Sequence, residues 1–175
     1  MKKGFTLIEL VIVIAILAIL AAVVVLTLNP AQLMAQARDS QRISDLNSVK
    51  SAIALYLATA TTPAIGAGPN GMASTTCEGF SAAACTQVSS TAATASGWVP
   101  IVFASTTGGS PLSSLPVDPT NTATYQYAWK GDATNLLYKI TGKLESTKYT
   151  AAGGPMTTDG GNNSSLYEIG TNLAL

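Results

Sequence analysis

The sequence predicts an α+β protein, in which a long N-terminal membrane-spanning helix packs along its C-terminal half on a small antiparallel β-sheet. Three stretches predict it. From Phe5 to Leu28 only Thr6, Glu9 and Thr27 are polar. From Leu33 onward apolar residues recur at helical spacing, and from Thr124 to Lys130 they alternate as in a half-buried strand.

A helix over Phe5–Leu28 spans roughly 36 Å at 1.5 Å per residue, enough to cross a bilayer core of about 30 Å. Its one carboxylate, Glu9, stands near the start. An acid at the centre of such a helix costs about 2.5–3.5 kcal/mol, and less near an end. Glu9 therefore calls for a partner, the alternative being a polar residue tolerated among headgroups. A secretory signal peptide fits Lys2 and Lys3 but little else, because its apolar region is about 7–15 residues long and is followed by small residues. Here the small residue, Gly4, precedes the apolar run. A cut after Gly4 would remove only the basic leader and keep the helix.

The order Gly4-Phe5-Thr6-Leu7-Ile8-Glu9-Leu10 resembles the prepilin signature of type IV pilins and type II secretion pseudopilins, a likeness that extends to about Leu57. The resemblance implies cleavage between Gly4 and Phe5 by a membrane-embedded prepilin peptidase, N-methylation of Phe5, and assembly into a filament through the apolar helix. It also implies a role for Glu9. The Phe5 amine of a neighbouring subunit would pair with its carboxylate, and a subunit out of register would bury both charges alone. A contact with its own Phe5 amine, one turn away, is the competing arrangement.

On this reading residues 1–4 are the leader, 5–28 the membrane and filament-core helix, 29–60 its amphipathic continuation, 61–97 an αβ-loop, and 98–175 the β-sheet domain with a C-terminal loop. The partners implied are identical or related subunits, prepilin peptidase, an inner-membrane assembly platform and membrane lipids. The location implied is a single-pass cytoplasmic or inner membrane before assembly, with the C-terminal domain outside, and an extracellular filament or the periplasm afterwards. The alternatives are a pseudopilin of a type II secretion system and an anchored adhesion module that does not polymerise.

Charge adds little. Among 175 residues there are nine basic and nine acidic side chains and no histidine. Loss of Lys2 and Lys3 leaves seven basic against nine acidic, so no basic surplus points to nucleic acid. No G-x-S-x-G, phosphate-binding glycine loop or third cysteine is present, and no enzymatic activity is expected.

Pro30 predicts a kink in one continuous helix, because its ring clashes with the preceding turn. The alternative is a second helix, capped by Asn29 with Pro30 at its first position. By resemblance, this is also where a pilin helix melts in a filament. Ile43, Leu46, Val49, Ile53 and Leu57 then form an apolar stripe, while Arg38, Asp39, Arg42, Asp45 and Lys50 read as a solvated face.

Between Lys50 and Asp118 the only charge is Glu78. The Ala/Ser/Thr/Gly-rich stretch from Thr59 reads as a long loop with one helical turn near Ser81–Ala84. Cys77 and Cys85 lie within it. In an exported chain an even pair reads as a disulfide, worth about 2–3 kcal/mol in the chain-entropy view.

Trp98–Phe103 reads as a first strand, with Pro100 at an edge or break. Leu115-Pro116-Val117-Asp118-Pro119 with Tyr125-Gln126-Tyr127 resembles an element of major pseudopilins, although their usual Trp-Gly after Asp-Pro is absent. Tyr125, Tyr127 and Trp129 share one strand face, Gly131–Thr134 is a turn, and Asn135–Glu145 is the return strand, with a bulge or bend at Gly142. The aromatic face is positioned to cover the stripe of the helix. In the tail, Asp159, Asn162 and Asn163 occupy a Gly-rich turn. With Asp118 they offer the oxygen ligands calcium takes, and the resemblance to major pseudopilins implies such a site. A plain turn without a cofactor is the first expectation.

Overall fold

A computed structural model describes residues 4–80 and 85–175. The expected helical turn at Ser81–Ala84, and Lys2 and Lys3, lie outside the described residues.

Helix α1 runs from Leu7 to Leu28 and α2 from Pro30 to Thr59. They are two helices, not one kinked helix. Asn29 between them is left-handed, with φ 42° and ψ 78°, and its side chain accepts from Gln32 N, so it ends α1 and caps α2. Pro30 sits at the first position of α2, where its missing N–H is no loss. Asparagine tolerates the left-handed region better than other residues with a Cβ, which is why the break falls at Asn29 and spares the helical geometry of Pro30.

Among the described residues the sheet has five strands in the order β2-β1-β3-β4-β5: β1 Asn70–Gly71, β2 Thr86–Gln87, β3 Tyr127–Asp132, β4 Leu137–Gly142 and β5 Tyr167–Gly170. Only β1 and β2 pair in parallel; the other neighbours are antiparallel. The expected β3–β4 hairpin is present. Its turn starts later than expected, because the Asp132 carboxylate accepts from Thr134 N and Asn135 N. Gly142 makes no bulge, since register runs unbroken to the Tyr127–Gly142 pair. Its lack of a Cβ serves packing instead: one there would lie 3.0 Å from Leu46 Cδ1. Two one-turn helices, α3 Thr147–Thr150 and α4 Pro155–Thr158, lead into β5.

The core lies between α2 and the sheet. Leu46, Val49, Ile53 and Tyr56 pack with Trp98, Val99, Ile101, Phe103, Leu115, Tyr127, Trp129, Tyr138, Ile140 and Ile169. Ile43 and Leu57, the ends of the expected stripe, are only half-buried. Trp129 stacks on Tyr138 with ring centres 5.4 Å apart, and its indole N–H donates to Gly66 O.

Trp98–Phe103 is not a strand. Val99, Ile101 and Phe103 are fully buried around a half-buried Pro100 and an exposed Val102, an alternation that the buried Trp98 breaks at its start. Pro100 cannot donate to a ladder, and the backbone bonds irregularly: Trp98 N to Ser90 O, Gly66 N to Pro100 O, Phe103 N to Ala93 O. The segment is an apolar plug, held by the loop before it and ending in a 3-10 turn at Phe103–Ser105.

That loop is better ordered than its composition predicts. It contributes β1 and β2, and Gln126 reaches into it, accepting from Ala73 N and Ser74 N and donating to Thr76 O. Cys77 and Cys85 are joined in a disulfide.

Candidate assembly helix and its charged clamp

Every described side chain of α1 is exposed. Leu7–Val25 is long and apolar enough to cross a membrane, and its apolar residues surround the whole circumference of the helix. Among the described residues nothing in the fold covers it. A Cβ added at Gly4 would meet nothing within 4 Å. Packing therefore does not require glycine there.

Glu9 is folded back on the first turn. Its Oε2 accepts from Thr6 N at 2.9 Å and from Thr6 Oγ1 at 2.7 Å, while Thr6 Oγ1 accepts from Glu9 N at 3.3 Å. This reciprocal pair is a capping box, which satisfies N–H groups the helix start leaves open. Phe5 beside it is 78% exposed.

The first half of α2 is clamped to the domain by charges, not apolar packing. Ala35, Asp39, Arg42, Leu46, Val49, Ile53 and Tyr56 form the buried stripe. Asp39 and Arg42, expected on a solvated face, are thus at the centre of the interface. Arg42 donates through Nε to Asp118 Oδ2 at 2.7 Å, through Nη1 to Glu145 Oε1 at 2.6 Å and to Asp39 Oδ1 at 2.8 Å, and through Nη2 to Thr120 Oγ1 at 3.0 Å. Arg38 forks onto both oxygens of Glu145 at 2.7 and 2.8 Å. The Tyr125 ring lies 5.0 Å from the Arg42 guanidinium carbon.

Two guanidinium groups face three carboxylates, and neutral donors spread the remaining negative charge. Asp39 accepts from Glu145 N, Ser146 N and Ser146 Oγ. Asp118 accepts from Thr120 N, Thr120 Oγ1 and Asn121 N. Without such donors buried ions repay their desolvation poorly. Burial works against the charge on Arg42, but its bonds to Asp118, Glu145 and Asp39 outweigh it and hold its pKa above the ordinary value. Burial likewise opposes ionisation of Asp118, and the Arg42 bond wins, holding it below the usual carboxylate range. The Arg38 bond holds Glu145 low against a weaker effect of burial. Asp45 differs: burial raises its pKa, although Tyr127 donates to it at 2.9 Å.

The four oxygen donors considered for calcium are not brought together. Asp118 is taken to α2 by Arg42, and among the described residues no hydrogen bond joins it to the tail. Asp159 accepts from Gly161 N and Glu168 N, Asn163 Oδ1 accepts from Ser165 N, and Asn162 Oδ1 accepts from Lys139 Nζ at 3.0 Å. Among the described residues no three acidic, cysteine or histidine side chains are gathered as a metal centre gathers them. The cation beside Asn162 is the protein's own. Lys139 is fully buried and pairs with the buried Glu168.

Residue type concealed these groups from sequence reasoning. The signal for Asp39 and Arg42 was position: Asp39 is four residues after Ala35, and Arg42 four before Leu46, so helical period puts both on the buried face. Lys139 and Glu168 carried no such signal.

Residues 1–25 match the family model of the prokaryotic N-terminal methylation motif. No curated protein and no solved structure matches the chain. The match covers Lys2, Lys3, Gly4, Phe5, Glu9 and the apolar helix as far as Val25. The chain thus carries, on a pilin-like α+β fold, the N-terminal signature of type IV pilins and pseudopilins.

Proposed function

We propose that the chain is a pilin, a structural and non-catalytic subunit of a type IV pilus-like filament. Prepilin peptidase cuts between Gly4 and Phe5, the Phe5 amine is methylated, and the subunit waits in the cytoplasmic or inner membrane with its C-terminal domain outside. An assembly platform then moves α1 from lipid into a bundle of like helices. The observation that carries this reading is α1 itself. It exposes apolar side chains on all sides, yet keeps one carboxylate one turn from the new amine. A plain anchor needs no carboxylate there, whereas a helix that must find one register among copies does. The clamp supports the reading, because a domain tied to α2 by Arg42 follows when α1 is drawn out of the membrane.

Mass spectrometry of the N-terminal peptide, from sheared surface filaments and separately from membranes, tests it. A filament peptide beginning at N-methylated Phe5 is expected. The same mature end confined to membranes, with a secretion defect on deletion, would make the chain a pseudopilin. A membrane-only protein indifferent to Glu9→Ala would be an anchored adhesion module. An intact Met1, or a cut beyond Leu20, would remove the pilin reading.

A further inference from the structure

We infer that Lys139 and Asn162 form an intramolecular isopeptide bond, with Glu168 as the proton carrier. Lys139 lies on β4 and Glu168 on β5. Lys139 is opposite Gly170 and Glu168 opposite Thr141, so the two side chains are diagonal neighbours on one sheet face. Both are buried and in direct contact. The Lys139 nitrogen donates to Asn162 Oδ1 at 3.0 Å, so the nitrogen and the amide group are immediate neighbours. The Phe80 ring, also buried, lies 5.6 Å from that nitrogen and covers the pair on one side.

The loop before β5 is wound so as to present Asn162. Glu168 Oε2 accepts from Asn163 N at 2.8 Å, Asp159 Oδ2 from Glu168 N at 2.7 Å, and Asp159 Oδ1 from Gly161 N at 2.9 Å. A Cβ at Gly161 would run into the Glu168 carboxylate, so the loop closes this tightly only with glycine there. Besides Asn162, the oxygens of Gly79, Leu173, Leu175 and Glu168 surround the lysine nitrogen. An ammonium has three N–H donors for those five acceptors. Glu168 Oε1 is buried without any hydrogen-bond partner beyond this ion-pair contact. The direct contact of Lys139 Nζ with Glu168 Oε1 gives a proton a path from the nitrogen to the carboxylate.

The step balances without a co-reactant. The Lys139 nitrogen attacks Asn162 Cγ, and the carbonyl pair moves onto Oδ1. As that pair returns, the Cγ–Nδ2 bond breaks and Glu168 hands a proton to Nδ2. The second proton of the attacking nitrogen follows through Glu168, and ammonia leaves as ammonium. Asn162 lies at the surface, so the departing group reaches solvent directly. The new amide N–H retains one of the neighbouring carbonyls. The product ties β4 to the loop that precedes β5.

Tryptic mapping of the reduced, alkylated full-length protein tests this, independently of filament assembly. Peptide 131–143 is expected joined to 149–175, one ammonia lighter than the two together, with no cleavage after Lys139. Lys139→Arg and Glu168→Gln should each release separate peptides of full mass. Recovery of peptide 131–139 and of unmodified 149–175 from the folded wild-type protein would overturn the proposal, whatever the variants do.

Discussion

Arg42 Nε lies 2.7 Å from Asp118 Oδ2, and neither side chain reaches solvent. The pair joins α2 to the loop before β3 across 76 residues of sequence. Removing one member strands the other, together with the donors or acceptors arranged around it. Breaking a buried pair costs about 3–5 kcal/mol, far more than an exposed one. Arg42→Met and Asp118→Ala should each lower stability by about that amount, and the double variant by clearly less than the sum of the two. Urea unfolding of the detergent-solubilised chain, followed by tryptophan fluorescence, measures it. Additive losses would mean that the two side chains are energetically independent despite their contact.

The clamp also sets a pH dependence with two opposing arms. Asp118 and Glu145 have folded pKa values below the ordinary carboxylate range of about 3.9–4.3. Their contribution is present above that range and is lost as pH falls through the folded values. Asp45 is raised by burial, so it acts in the opposite sense: stability falls as pH rises from about 3.9 through its folded value. Asp45→Asn keeps an acceptor for the Tyr127 hydroxyl and removes the titration. Its urea midpoint should match or exceed that of wild type at neutral pH and fall as wild type does below about pH 4. A variant less stable than wild type at pH 7 would show that the Asp45 charge, and not only its acceptor, supports Tyr127.

The parts legible in the sequence are those with a period or a sustained composition. Phe5–Leu28 announces α1 by apolarity alone, Leu46, Val49 and Ile53 announce the α2 face, and Tyr127 and Trp129 announce β3. The parts that were not legible depend on partners far along the chain. Asp39 and Arg42 read as solvent-facing because their type favours water, and partners distant in sequence, Asp118, Thr120, Glu145 and Ser146, make their burial tolerable. Trp98–Phe103 read as a strand because the residue types favour one, but Pro100 cannot donate to a ladder and the backbone bonds irregularly to Ser90, Ala93 and Gly66. Strand β5 is four residues long with Glu168 inside it, and the residue that meets Glu168, Lys139 on β4, lies far back along the chain. At Asn29 both outcomes could be stated beforehand, and the left-handed tolerance of asparagine decided between them.

Gly71 gives the disulfide its room. A Cβ there would lie 2.6 Å from Ser74 O, 2.8 Å from Cys77 Sγ and 3.0 Å from Cys85 Sγ. The carbonyl yields only if the backbone at Ser74 moves, and the sulfurs cannot yield without moving each other. Gly71→Ala should therefore destabilise the oxidised protein by about 1–3 kcal/mol, the usual cost of overpacking. Two crowding contacts vanish if the cysteines are replaced, so the penalty should shrink in a Cys77→Ala, Cys85→Ala background. Paired unfolding curves decide it. An equal penalty in both backgrounds would assign the cost to Ser74 and the backbone alone.

Glu9 performs two tasks that one substitution separates. In the single subunit it completes the capping box with Thr6, a task glutamine at the same position performs as well. In a filament the proposed task is charge pairing with a Phe5 amine, which glutamine cannot do. Glu9→Gln should leave the helical circular dichroism and membrane insertion of the subunit unchanged, while sheared filament yield falls at least about tenfold, equivalent to roughly 1.4 kcal/mol per tenfold in an equilibrium constant. Thr6→Val should do the reverse. It removes the side-chain cap, at about 1 kcal/mol, and leaves the carboxylate free to meet an amine, so filament yield should hold. Quantifying sheared pili and membrane-retained subunit for the two variants side by side separates the roles. Normal filament yield from Glu9→Gln would assign Glu9 to the helix cap and deny it a part in register.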